Sequence, residues 1–369
     1  MAFKVVTPGY EEAFERWTDA LEQANSMKSS LSSWFKDIRI LEDTGRGWMP
    51  VWTYGRGRSH PEYLGPGTYD RLARLFIAEG QAEAQAETMW QIRDHQFIWG
   101  ARTYLMGVLN ATPDSFSDGG EFNTVETALA QAKALVEAEL DILDIGGQSS
   151  RPGSKPTTLE EECDRVLPII KAIRSYSDPK VSSIPVSIDT TRAKVAQAAI
   201  EAGADIVNDI SGGTYEPDIL KVTAEAGAPI ILMHLRGKPE TMQQMTDYDD
   251  LMREIVLFLA GQADQAVAAG IDPKKIALDP GIGFAKTAEQ NITILKELEA
   301  LKALNCPILV GTSRKSFIGK ILDRPEAKDR VWGTAATVDC AIAHGADIIR
   351  IHDGPQMRDV CRMSDQLWR

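Results

Sequence analysis

From residue 104 onward, eight short apolar runs alternate with helical stretches, and this alternation constrains the fold more than any other feature. The runs are Tyr104–Leu109, Asp141–Ile145, Pro185–Ile188, Ile206–Asp209, Pro229–Met233, Ile276–Asp279, Pro307–Gly311 and Ile348–Ile351. They are rich in Ile, Val and Leu and bounded by turn residues, so they read as strands buried on both faces. Between them the periodicity predicts helices at Thr124–Ala138, Leu159–Ser175, Thr191–Ala202, Pro217–Glu225, Asp247–Ala269, Ala288–Leu304 and Val331–His344. A last helix, Gln356–Trp368, closes the chain. Eight such units over about 270 residues predict an α/β fold, a (β/α)8 TIM barrel. An open doubly wound sheet rarely needs eight regular units, and no G-x-G-x-x-G follows the first run. A hairpin over Gln91–Leu105 precedes the first strand and is placed to plug the N-terminal mouth of the barrel.

The composition changes near residue 100. Six of the eight tryptophans (Trp17, Trp34, Trp48, Trp52, Trp90 and Trp99) lie before it. Residues 1–90 are therefore read as an aromatic-rich extension and residues 91–369 as the barrel. Glu11–Met27, with Phe14, Trp17 and Leu21 along one side, and Tyr69–Trp90, with Leu72, Leu75 and Phe76, predict a mostly helical extension. Between them Trp48, Trp52, Tyr54, Arg56 and Arg58 have the residue types of a single-strand stacking platform. The extension's surplus of acids opposes that reading, and a small structured cap is expected instead.

A net charge of −13 argues against nucleic acid as a partner. No apolar run reaches the ~18–20 residues of a membrane span. The four cysteines (Cys163, Cys306, Cys340 and Cys361) lie far apart without a CxxC pair, which suits a reducing cytoplasm and no zinc site.

In such barrels the active site forms where the strands end. The first strand is followed by Asn110-Ala-Thr-Pro-Asp-Ser-Phe-Ser-Asp-Gly-Gly120, and the second by Asp144-Ile-Gly-Gly-Gln-Ser-Ser-Arg-Pro-Gly-Ser154. Both loops exceed the usual 2–6 residues. The remaining strands end in Asp189, Asn208-Asp209, Met233-His234, Asp279-Pro-Gly-Ile-Gly-Phe284, Thr312-Ser-Arg-Lys-Ser316 and Arg350-Ile-His352-Asp353. Taken singly, Asp189 reads as a helix N-cap, His234 as a core residue and Arg314-Lys315 as a solvated face. Hydrophobic packing, however, does not explain a polar group at the end of every strand. Asp189, Asn208 and Asp279 form an acceptor-rich half suited to a heterocycle carrying N–H and NH₂ donors. Lys315 and Arg350 form a cationic half suited to phosphate.

These strings closely resemble the dihydropteroate synthase family. Asn110–Gly120, Asp144–Gly153, Asp279–Phe284, Ser313–Ser316 and Arg350–His352 match its signatures in order, and Thr241-Met-Gln after His234 fits as well. The resemblance runs from about Gln91 to Trp368. It implies condensation of 7,8-dihydropterin-6-ylmethyl pyrophosphate with p-aminobenzoate to 7,8-dihydropteroate and pyrophosphate, a step of folate synthesis that sulfonamides block. It also implies that Asp189, Asn208, Met233, Asp279 and Lys315 hold the pterin. Asn110, Arg350 and His352 would hold the pyrophosphate, with Asn110 on its Mg²⁺. Ser150, Arg151, Pro152, Ser313, Phe116 and Phe284 would frame p-aminobenzoate. Asp279, Lys315, Arg350 and His352 would carry the catalysis, and a homodimer through the last helices is implied.

The chemistry expected of such a site is dissociative and SN1-like, with Asp279 facing the methylene cation and Arg350 and His352 the departing diphosphate. Departures from the family pattern are Gln148, Ser150, Ala111 and Gly354, the last bearing on the shape of the loop after the eighth strand. Two other readings share the pterin set: a pterin-dependent methyltransferase, which would not need Ser313, Lys315, Arg350 and His352 together, and a non-catalytic pterin-binding protein, which would be expected to have lost a phosphate or Mg²⁺ ligand.

Overall fold

The computed structural model describes residues 3–7, 10–14, 37–43, 48–55, 62–63, 89–111, 121–148 and 157–369. The chain divides into two compact units, Met1–Gln85 and Ala86–Arg369.

The described part of the first unit is a five-stranded sheet: β1 (Phe3–Thr7), β2 (Tyr10–Phe14), β3 (Asp37–Asp43), β4 (Trp48–Gly55) and β5 (Glu62–Tyr63), in the order β2-β1-β3-β4-β5. All its pairings are antiparallel. Over Glu11–Phe14 this corrects the helical reading of the extension. Glu11–Phe14, the start of the expected first helix, pairs with Phe3–Val6, and Thr7 pairs with Tyr10 across the Pro8-Gly9 step of the sequence. Pro-Gly is a hairpin signal, and a three-residue apolar spacing over so short a window does not outweigh it. The rest of that helix, and residues 69–88 of the second expected helix, lie outside the described residues; Met89–Trp90 are extended.

The second unit carries a hairpin of β6 (Met89–Ile92) and β7 (His95–Ile98), then eight parallel strands. These are β8 (Tyr104–Asn110), β9 (Ile142–Gly146), β10 (Val186–Asp189), β11 (Ile206–Asp209), β12 (Ile230–Met233), β13 (Ile276–Asp279), β14 (Leu309–Val310) and β15 (Ile348–Ile351). They run in sequence from β8 to β13, while β15 joins β14 to β8. A bridge between Leu278 and Ile308 closes the ring, with the Leu278 N–H donating to the Pro307 carbonyl at 2.9 Å. Pro307 has no N–H to give the ladder, so β14 is shorter than the sequence suggested. The α/β TIM barrel expected from the alternation is thus the fold observed.

The predicted segments are helical, and two short helices that the periodicity did not show, Pro179–Ser182 and Ser316–Leu322, are added to them. Leu159–Arg174 opens on a capping box of Thr158 and Glu161. The expected helix Ala288–Leu304 breaks at Glu297 and finishes as a 3₁₀ turn over Leu298–Leu304. Leu298, Leu301 and Leu304 are all buried, and their three-residue spacing matches the 3₁₀ repeat.

The hairpin does plug the N-terminal end. Trp90, Ile92, Phe97 and Tyr104 form one cluster with Met106, Ile142, Ile206, Ile231, Ala277, Leu309 and Ile348 from inside the barrel. Trp90 Nε1 donates to the Lys274 carbonyl at 2.7 Å. Arg93 binds Asp205 at 2.7 Å at the foot of β11.

Candidate active site

At the opposite ends of the same strands, charge replaces apolar packing. Asp144 lies within β9 and is fully buried. Arg350, on β15, donates from Nε to Asp144 Oδ2 at 2.6 Å and from Nη2 to Asp189 Oδ2 at 2.8 Å. The Asn208 amide donates to both oxygens of Asp144 at 3.3 Å. One guanidinium therefore ties β9 and β10 to β15 across the barrel mouth, in the planar fork geometry that suits carboxylates.

Burial pushes the Asp189 carboxyl up to about 7, with Arg350 opposing and Asp144, Glu162 and Asp209 adding to the rise. Burial works against the Arg350 charge, yet Asp144 and Asp189 outweigh it and hold the guanidinium above its ordinary range.

Asp279 ends β13 and is also buried. Burial raises its pKa, opposed by the Gly281 N–H, which donates to Oδ1 at 2.7 Å, and by Lys315, Lys286 and Arg350. The Lys315 ammonium stands 4.1 Å from the centre of the Phe284 ring. Burial lowers its pKa to about 8, with Asp279 and Asp189 favouring the charge and Arg350 opposing it. Met233 packs with Phe284, Leu235, Met242 and Ala285. Ser313 Oγ accepts from the His352 N–H at 3.1 Å and lies 3.0 Å from His352 Nδ1. A hydroxyl donating to Nδ1 leaves the imidazole proton on Nε2. Burial, Arg350 and Arg314 lower the His352 pKa to about 3, so the ring is neutral.

A cleft of about 450 Å³ opens beside Asp189, between Gln148, Arg192, Ile210, Tyr215 and Lys238. Its floor on the β10 side is braced by Glu162, which accepts from Thr190 at 2.7 Å and from Arg192 at 2.5 Å. Asn208, Asp279 and Ser313 are more deeply buried than the cleft's outer wall.

Asn110 ends β8 opposite Gly146. Gly354 opens the last helix, where a Cβ would come within 3.0 Å of Leu140 Cδ1 and 3.3 Å of the Ala138 Cβ, so an apolar side chain would crowd that start. Phe116, Ser150, Arg151 and Pro152 lie outside the described residues.

Among known proteins, the pterin binding enzyme family matches residues 106–352. The chain belongs to the pterin-binding enzyme family. The dihydropteroate synthase of Synechocystis is 60% identical over 273 residues, covering 74% of this chain and 93% of its own. That of Bacillus subtilis is 44% identical, covering 72% of this chain and 89% of its own. Among solved structures, the Clostridium difficile dihydropteroate synthase determined with pteroic acid has a TM-score of 0.69 and 43% identity, covering 74% of this chain and 99% of its own. The Xanthomonas albilineans dihydropteroate synthase in complex with 7,8-dihydropteroate has a TM-score of 0.67 and 33% identity, covering 76% of this chain and 98% of its own.

As a member of this family the barrel brings Asp189, Asn208, Asp279, Lys315 and Arg350 to one end, with Met233, Phe284, Ser313 and His352 among them. Three features escaped the sequence reading. The acceptor and cationic halves are not separate, because Arg350 lies on the carboxylates of Asp144 and Asp189. Asp144 itself was given no role, only a place in the second strand and at the head of the loop and signature that follow it. Its signal was an acid inside the apolar run Ile142-Leu-Asp-Ile145, where a buried charge requires a partner. Lys286, fully enclosed and bonded to His234 Nδ1 at 3.0 Å, was missed as well.

Proposed function

We propose that this barrel is a dihydropteroate synthase, a transferase that joins 7,8-dihydropterin-6-ylmethyl pyrophosphate to p-aminobenzoate and releases pyrophosphate. The observation that carries the reading is the Arg350–Asp144–Asp189–Asn208 cluster, with Asp279 and Lys315 at the same barrel end. The carboxyls of Asp189 and Asp279 and the free oxygen of Asn208 take the ring's donors, and Lys315 and Met233 complete the pterin pocket. Carbon–oxygen cleavage leaves positive charge on the methylene, which Asp279 faces, while His352 and the unused edge of Arg350 receive the diphosphate oxygens. Preorganised charge of this kind is usually the largest catalytic contribution. The aniline nitrogen then adds to the carbon and loses its proton. Phe284, Ser313 and, from the resemblance, Phe116, Ser150, Arg151 and Pro152 frame p-aminobenzoate.

The donor set fits Mg²⁺ held chiefly by the substrate. No cluster of three His, Cys, Asp or Glu able to hold a metal occurs among the described residues. Mg²⁺ commonly takes one or two protein oxygens plus substrate phosphates, and Asn110 supplies such an oxygen. Bound there, the ion would neutralise diphosphate charge.

The partners we propose are small molecules and a second copy of this chain, not nucleic acid or membrane. Trp332, 81% exposed, lies on the Val331–Ala343 helix, and Met363, Leu367 and Trp368 are exposed on the neighbouring last helix. Such exposed apolar groups suit a homodimer face. No described helix is long and apolar enough to cross a membrane. The four free cysteines accord with a cytoplasmic setting.

The test is pyrophosphate release by the full chain with Mg²⁺, set against turnover of methyl-tetrahydrofolate. Release that requires both the pterin pyrophosphate and p-aminobenzoate is the expected result. Methyl transfer, or pterin binding without pyrophosphate release, overturns the proposal.

A further inference from the structure

Lys286 is a buried titratable group to which the reaction just described gives no task. It is only 3% exposed. Its Nζ donates to the Phe284 carbonyl at 2.9 Å and lies 3.0 Å from His234 Nδ1. His234 is buried and stacked edge-on against Phe258, with ring centres 5.0 Å apart. Burial, Lys286 and Arg236 lower its pKa to about 2, so the imidazole is neutral and Nδ1 accepts. The same histidine's N–H donates to the Asp279 carbonyl at 2.9 Å. His234 thus joins the backbone of Asp279 to the side chain of Lys286.

Between those two points runs a tight turn. Gly281, Gly283 and Ala285 all have positive φ, at 70°, 82° and 51°. A Cβ on Gly281 would stand 2.1 Å from the His234 carbonyl oxygen, so only glycine fits there. The turn is held from outside as well: Asn291 accepts from the Gly283 N–H at 2.7 Å, and Tyr248 donates to the Ala285 carbonyl at 3.0 Å. Lys286 is the tie from within. What the turn presents to the site is the Phe284 ring beneath the Lys315 ammonium, and the Lys315 stem passes 3.1 Å from where a Gly283 Cβ would be.

We propose that Lys286 is a positioning residue of the condensation: its amino group, donating to His234 and to the Phe284 carbonyl, fixes the Gly281–Ala285 turn and so seats Phe284 against p-aminobenzoate. Both bonds use donors that an amine and an ammonium share, so the tie holds in either protonation state. Asp279 is held separately, by its ladder pairing with Met233 and by the His234 backbone N–H on its carbonyl. Loosening the turn therefore acts on the p-aminobenzoate wall more than on the carboxylate that faces the pterin.

The inference rests on the dihydropteroate synthase reading for its kinetic arm and tests it in a separable way. In Lys286→Met, KM for p-aminobenzoate is expected to rise about tenfold while pterin pyrophosphate affinity, measured by calorimetry, changes less than about threefold. Equal damage to both substrates, or none to either, overturns the proposal. A second pair guards against misfolding of that variant. His234→Asn keeps an acceptor near the Nδ1 position and should restore p-aminobenzoate KM relative to His234→Leu; equal KM in the two means the ring acts only through packing and overturns the proposal. A wild-type chain that never releases pyrophosphate would instead defeat the functional reading. The tie is then still read from the ¹⁵N spectrum of His234, which should show an Nε2–H tautomer in the wild type and lose its preference in Lys286→Met. An unchanged spectrum refutes the tie.

Discussion

The two ends of the barrel are built from the same eight strands and solve opposite problems. At the N-terminal mouth, Trp90, Phe97 and Tyr104 from the hairpin meet Met106, Ile206 and Leu309, and the end is dry. At the C-terminal mouth, Asp144 and Asp279 are buried, and Asp189, Arg350 and Lys315 are gathered with them, partly buried. A few residues along β9 or β15 separate one regime from the other. Ile142 packs in the plug and Asp144 holds Arg350; Ile348 packs in the plug and Arg350 spans two acids. Burying charge is costly unless the charges are paired and hydrogen-bonded. The apolar end, with its large aromatic payload, is the part of the barrel able to offset that cost. Stability and chemistry are thus divided along the strand axis, as barrels generally divide them.

Substitutions at the two ends should therefore fail differently. The largest effect belongs to the plug: Trp90→Ala should lower stability by about 3–5 kcal/mol in denaturant unfolding. Its kcat, assayed below its melting range, should match wild type; a selective loss of turnover would erase the division. Next, Asp279→Asn should lose more than about 100-fold in kcat, about 2.7 kcal/mol of transition-state stabilisation. A near-normal rate would show that the aspartate does not face developing positive charge.

A pH experiment sharpens the contrast. His352 titrates near 3 when folded and near 6.5 when unfolded, so below about 6.5 the unfolded chain takes up a proton that the fold refuses. The stability this histidine contributes is complete above that pH and is lost as pH falls toward 3. By pH 5 the difference between wild type and His352→Gln should have shifted by about 2 kcal/mol in favour of the variant. Parallel stability curves for the two proteins between pH 7 and 5 would mean that the histidine is not buried neutral. The smallest expected effect is Arg151→Ala, which should raise KM for p-aminobenzoate about tenfold and leave pterin affinity intact. Equal losses for both substrates would give that loop another task.

Most of the barrel was legible because burial on both faces leaves an unmixed apolar signature. Ile206–Asp209, Ile276–Asp279 and Ile348–Ile351 were read to the residue. The strand-end polar groups were legible for the complementary reason, that packing does not call for them. The start of the extension's first expected helix, Glu11–Phe14, was misread because the strands there are short and antiparallel, where a few residues at helical spacing look much like alternation. The Pro8-Gly9 step was the better guide. Partners were the least legible. A sequence shows that Arg350 and Asp144 are charged, not that strands 206 residues apart aim them at one another. Lys286 was hidden in the same way, since its burial depends on a turn that closes around it.

In the proposed reaction the C-terminal mouth separates charge, holding a methylene cation at Asp279 while diphosphate departs. The most direct measurement is the α-secondary deuterium isotope effect at the pterin methylene, on kcat/KM for the pterin pyrophosphate. A large normal effect, reported by dihydropteroate formation with saturating p-aminobenzoate, is what this arrangement predicts. An effect near unity in an assay where carbon–oxygen cleavage limits the rate would contradict it, because the amine would then be pushing the diphosphate out in a single concerted step.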